Sequence, residues 1–308
     1  MEIVFLRKDL RKCYGRAMLC VLCILLFIQL FAVAAYGLYD WVVVPMLLWR
    51  GIVPGYAGLL LVNDLCSYLP PLVIIPLVLR KMPRTEKPAP HPLPLRELAI
   101  AIPFCIGTLY LFAYVTSGLI TVIEALSGME TSNILDSLDG ISLGLYAFTT
   151  VVVAPVCEEY LFRRLFLDRC RALGDVSAIL LSAAAFALMH QNLYQLLYAF
   201  ALGVVLGSVA ILTGRLRECI LLHACTNGVS VLLSLPLSDE VYAFLGLALL
   251  ACIAFTVYIF VKRCRYYRFD PGPLPYDAAT KRRMCLRSPC FWICGLLSLA
   301  ASVATIFI

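Results

Sequence analysis

Long apolar runs separated by short charged stretches dominate the chain. The runs fall at about 17–38, 56–79, 98–123, 141–157, 176–190, 193–212, 219–235, 240–261 and 291–308. Runs of this length read as transmembrane helices. They predict an all-α, polytopic bundle of eight or nine spans around a central polar cavity, forming one integral membrane domain over 1–308. The stretch 41–54, with Pro45 and Pro54, reads as interfacial. Several runs are shorter than the roughly 20 residues a bilayer needs, and short or interrupted helices line internal cavities. The first run follows a basic segment, "RKDLRKCYGR", and stays apolar from Ala17 to Leu38. It is too long for a signal-peptide core of roughly 7–15 residues, and no cleavage site follows, so it is read as the first span.

Composition agrees. Of 308 residues, 62% are hydrophobic and 14% charged, against about half and a quarter in a soluble domain. The longest polar stretches, 80–97 and 262–290, are too short and too Pro-rich or basic to fold alone and read as loops. Charge alternates between connections. Arg7, Lys8, Arg11, Lys12 and Arg16 precede the first span, and Arg80, Lys81, Arg84, Lys87 and Arg96 follow the second. Glu124, Glu130, Asp136 and Asp139 follow the third, and Arg163, Arg164, Arg169 and Arg171 the fourth. Arg215 and Arg217 follow the sixth, Asp239 and Glu240 the seventh, and Lys262, Arg263 and Arg265 the eighth. The positive-inside rule then puts the N-terminus in the cytoplasm, with a bacterial plasma membrane as the expected location. The net charge of +6 is loop charge, not a nucleic-acid footprint, for which neither a basic soluble fold nor a motif is present. Fourteen cysteines scatter through the apolar runs. "CVLC" (Cys20 to Cys23) and "CFWIC" (Cys290 to Cys294) read as small packing residues, since no second pair follows at zinc spacing. "GVVLG" (Gly203 to Gly207) has the small-xxx-small spacing that lets helices approach closely.

The candidate chemistry sits between 158 and 227. Adjacent Glu158 and Glu159 end an apolar run, where ionised carboxylates are costly without a partner or a task. Glu159 and Arg163 lie four apart, acid first, and share a helix face. Glu158 points about 100° away, with no such local partner. Of three histidines, His91 lies in the Pro-rich loop "KPAPHPLP", while His190 ends "FALMH" and His223 begins "HACTN". Phe186 shares a face with His190, and His223 shares one with Asn227. A carboxylate and an imidazole can hold a water between them, and a buried carboxylate is a better base near neutral pH. A second imidazole and an amide can stabilise an oxyanion. Two imidazoles and a carboxylate could equally bind zinc with an open water position; spacing leaves both open.

"EEYLFR", "FALMH" and "HACTN" resemble, in order, the EExxxR, FxxxH and HxxxN motifs of the CPBP (CAAX protease and bacteriocin-processing, or Abi) family of intramembrane endopeptidases. The resemblance covers about 140–235, leaving 1–139 and 236–308 as accessory helices. It implies a metal-free, glutamate-dependent protease opening toward the cytosol, with a peptide or protein substrate. Glu158 would be the general base, Glu159 and Arg163 the supporting pair, His190 a water-positioning group, and His223 with Asn227 the oxyanion-stabilising pair. Arg164 departs from the Gly that often follows the motif arginine. No HExxH, GxSG or GxGD signature offers another protease class. A non-catalytic scaffold or immunity protein would need none of these polar residues, and a transporter would use membrane carboxylates for protons. One geometric demand follows. With the fourth span ending at 157, a helix from Val176 to His190 rises roughly 21 Å at 1.5 Å per residue. That carries His190 away from Glu158 unless the helix tilts, starts deeper, or follows a longer connection.

Overall fold

The computed structural model describes residues 7–54, 56–83, 89–128, 140–263, 269 and 277–307. The loop charges Arg84, Lys87, Glu130, Asp136, Asp139 and Arg265 lie outside the described residues. Within them the chain is helical. α1 (Arg7–Leu38) runs through a π-turn at Tyr39–Val43 into Val44–Trp49. Trp41 and Trp49 are exposed there, as aromatic residues at a membrane interface are. α2 (Tyr56–Leu79) and α3 (Leu95–Ser127) follow. α4 (Leu143–Leu173) precedes α5 (Asp175–Met189), α6 (Leu193–Thr213) and α7 (Leu216–Leu233). α8 (Asp239–Arg263), α9 (Ala278–Leu286) and α10 (Pro289–Phe307) complete the fold.

Seven of the described helices are long and apolar enough to span a bilayer, and the α9–α10 pair, bent by 65°, makes an eighth if taken as one span. The remaining apolar run, 176–190, is α5, whose 15 residues reach about 22 Å, short of the roughly 30 Å hydrocarbon core. The 262–290 stretch, expected to be a loop, contains α9, whose Met284 is buried in the main core.

The fourth span differs most from expectation. It does not end at 157. It continues through Ala154–Glu159, a π-helical stretch at Tyr160–Leu167, and Asp168–Cys170, and closes with a tight turn at Arg171–Leu173. The charges that resemble a loop boundary are interior: Glu158, Glu159 and Arg163 are 5%, 0% and 2% exposed. The chain then reverses at Gly174, whose φ of +96° suits a residue without Cβ. Glu158 and His190 each lie sixteen residues from Gly174, so the two arms of the hairpin bring them to similar depth. The 21 Å demand is met by a longer α4.

α4 is the central element, packed by α2, α5 and α7. α5 and α6 form the tightest hairpin, and a Cβ on Gly203 would come within 3.0 Å of Ala183 Cα and 3.3 Å of Phe186 Cδ1. The small-xxx-small spacing thus lets α6 press against the ring of Phe186. Ser182 of α5 donates a 2.8 Å hydrogen bond to the Phe162 carbonyl in the π-helical stretch. α3 packs on α6, α7 and α8, while α1 supports α2, α5, α9 and α10. The thirteen described cysteines are free.

Candidate active site

The site is built on α4, α5 and α7, with one contribution from α2. The i,i+4 pairing expected within α4 is present: Arg163 Nε stands 3.0 Å from Glu159 Oε2. The alignment is that of an ion pair rather than a hydrogen bond, and the guanidinium nitrogens find no hydrogen-bond partner among the described residues. Instead Arg163 Cζ lies 4.8 Å from the Phe186 ring centroid, where a cation is attracted by the aromatic face. Phe186 meets Phe162, His190 and His223 edge-on, at centroid distances of 5.6, 5.2 and 5.7 Å. This ring is the hub on which guanidinium and imidazoles are arranged.

Long-range contacts complete the site. His223 Nδ1 lies 2.9 Å from Glu159 Oε1. Since Glu159 is already paired with a cation, the ionised carboxylate accepts and Nδ1 carries the proton, which leaves Nε2 toward Glu158. His223 Nε2 stands 3.6 Å from Glu158 Oε2, too far for a good direct bond but a separation whose two ends one water can reach. Glu158 Oε1 accepts a 3.2 Å hydrogen bond from the Tyr68 hydroxyl of α2. Asn227 Nδ2 donates 2.8 Å to the carbonyl of Thr150, in the π-turn Thr149–Val153 of α4. An amide has two N–H donors, so one remains for a ligand.

The structure therefore brings Glu158, Glu159, Arg163 and His223 into one buried cluster, with Asn227 one turn along α7. It places His223, not His190, across from Glu158. His190 is half-buried at the end of α5, against the Phe186 ring that Arg163 and His223 also meet. Its neighbour Gln191 has φ +48° and is held by a side-chain hydrogen bond from Gln29 of α1. Asn192 then caps α6 by accepting from Tyr194 N. Neither motif nor spacing points to Tyr68. The available signal was its hydroxyl inside an apolar run, where a phenol needs a partner. Among the described residues no three His, Cys, Asp or Glu side chains are grouped as metal ligands would be.

Near the Arg-rich ends of these helices, Arg163, Arg164, Arg171, Gly214 and Arg215 line an open crevice between α4 and the α6–α7 turn. The flanking cations are paired: Arg164 with Asp168 at 3.5 Å, Arg171 with Asp175 at 3.2 Å, and both Arg215 and Arg217 with Glu218 at 3.2 Å.

The fold and this cluster define a polytopic membrane protein with a buried carboxylate–imidazole cluster between its central helices and the Asn227 amide one turn beyond it. Residues 141–229 match the family model of type II CAAX prenyl endopeptidase Rce1-like proteins, and this segment carries the whole cluster apart from Tyr68. The membrane-embedded CAAX protease MroQ of Staphylococcus aureus (strain USA300) is 26% identical over 98 residues, covering 30% of this chain. The chain spans 40% of the length of that curated relative. No solved structure matches. The segment 141–229 is thus similar to CAAX proteases.

Proposed function

We propose that the protein is an intramembrane endopeptidase that hydrolyses a peptide bond of a membrane-delivered peptide or protein, in CAAX-type processing or peptide maturation, by glutamate-activated water. The match to the type II CAAX prenyl endopeptidase model and the likeness to a membrane-embedded CAAX protease support the class of reaction. The observation that carries the mechanism is the facing of Glu158 Oε2 and His223 Nε2 at 3.6 Å in a buried site. A water there donates one hydrogen to Glu158 and one to His223, leaving its lone pair for the substrate carbonyl carbon. As the C–O bond forms, Glu158 takes the proton, and it then delivers that proton to the amide nitrogen as the C–N bond breaks. Glu159 holds the His223 tautomer, and Arg163 holds Glu159. The free N–H of Asn227 faces the oxyanion, and His190 lines the substrate side of the Phe186 ring. No metal has a part in this reading. It also keeps the N-terminus cytoplasmic, in the plasma membrane of a bacterium, and puts the Arg-lined crevice at the cytoplasmic face.

The test uses purified protein in liposomes, incubated with a peptide library that includes prenylated C-terminal peptides. Products are read by mass spectrometry. Wild-type protein should release C-terminal fragments and Glu158→Gln should release none, while keeping the wild-type melting temperature. Cleavage at the wild-type rate by Glu158→Gln would remove the base assignment. Loss of activity on chelation, with restoration by zinc, would remove the metal-free mechanism.

A further inference from the structure

We propose that Tyr68, on α2 and outside the matched segment, is a positioning residue for the water-activating carboxylate. The inference rests on the role proposed for Glu158 and adds a residue to it. Tyr68 lies in "CSYLPP". Pro70 and Pro71 lack the N–H groups that would bond the carbonyls of Cys66 and Ser67, so the helix is weakened beside Tyr68 and free to bend. α2 packs on α4 both before and after the diglutamate, and the Tyr68 ring packs against the main core. The hydroxyl at the end of that ring donates to Glu158 Oε1 at 3.2 Å.

This fixes the two oxygens of Glu158 in different tasks. Oε1 is taken by the phenol, and Oε2 faces His223 Nε2 at 3.6 Å. The terminal torsion of a glutamate is broad and roughly two-fold, so an unsupported carboxylate swings and loses the alignment of Oε2 with the water. The phenol holds the plane. His223 is held in the same manner from its far side by Glu159 at 2.9 Å. The water is thus set between two groups, each anchored by a hydrogen bond from behind: Tyr68 behind Glu158, and Glu159 behind His223. Tyr68 touches neither substrate nor water, and acts through Glu158.

The test is Tyr68→Phe in the full-length protein in liposomes, beside wild type and Glu158→Gln. The ring packing is retained and only the hydroxyl is lost. A hydrogen bond to a charged group corresponds to a change in kcat of about ten- to a hundredfold. Tyr68→Phe should lose that much kcat, keep KM within about twofold and melt with the wild type; a purely structural role would lower the melting temperature or spread the loss into KM. Infrared spectroscopy supplies a readout independent of turnover: the carboxyl band that disappears in Glu158→Gln should shift in Tyr68→Phe. A kcat within about twofold of wild type, or an unmoved band, overturns the proposal. If Glu158→Gln is dead and Tyr68→Phe fully active, Tyr68 fails alone. If wild-type turnover does not depend on Glu158, the proposed mechanism fails, and the infrared band still decides whether the phenol holds the carboxylate.

Discussion

Arg163→Met removes the cation from a pair whose side chains are 1% and 0% exposed. The substitution keeps most of the volume and leaves Glu159 buried with only His223 beside it. Breaking a buried pair from one side costs about 3–5 kcal/mol, because the remaining charge is uncompensated; the lost contact with Phe186 is about 0.5–2 kcal/mol of this kind of loss. With about 2.1 cal/mol/K of unfolding entropy per residue, a chain of 308 residues shifts its melting point by about 5–8 °C for that cost. The double variant Arg163→Met, Glu159→Leu removes both charges, and replacing a buried pair by apolar groups is often neutral or stabilising. It should melt within about 2 °C of wild type. It should still be inactive, because His223 Nδ1 has lost its acceptor. The assay is thermal unfolding followed with a thiol-reactive dye, using buried Cys170 and Cys219, run beside peptide cleavage. If Arg163→Met melts within about 1 °C of wild type, or the double variant melts below Arg163→Met, the pair is not the buried charge compensation described here.

Two further outcomes are expected elsewhere in the chain. Asp277 caps α9: it accepts hydrogen bonds from Thr280, side chain first and backbone N at 3.0 Å, and these hold its carboxyl below the ordinary 3.8. A depressed folded-state value means that the contribution is present above the unfolded value and lost as pH falls through the lower folded one. Amide-exchange protection at 278–281, corrected for intrinsic rates, should stay level from pH 7 to about 4 and fall only below that, and Asp277→Ala should lack it throughout; equal protection in the variant would refute the cap. For orientation, a cysteine introduced at position 217 in a variant without native surface thiols should label only from the cytoplasmic side, and one at 239 only from the other; reversed labelling would invert the topology.

Local relations were legible in the sequence, and distant ones were not. The Glu159–Arg163 pair follows from helical spacing alone, and so do the Phe186–His190 contact and the close approach at Gly203. The fourth span runs past its expected end at 157 for a physical reason. A run of charges reads as a boundary when each is counted as solvated, yet here Glu159 and Arg163 neutralise each other and Glu158 is hydrogen-bonded, so the helix carries them inside. Partners 64 or 90 residues apart, His223 with Glu159 and Tyr68 with Glu158, leave no periodic trace. The resemblance gives His190 the water-positioning role, whereas the imidazole standing opposite Glu158 is that of His223.

The hairpin at Gly174 has a consequence for the membrane around it. Because Glu158 and His190 stand the same number of residues from the turn, their relative height depends on the difference between two arms and not on the length of either. A thicker or thinner bilayer tilts helices to match its hydrocarbon depth, and tilting both arms together moves the two residues by nearly equal amounts. A chain carried between membranes of different thickness, or held in a detergent micelle, would keep Glu158 and His190 level while its outer helices adjust.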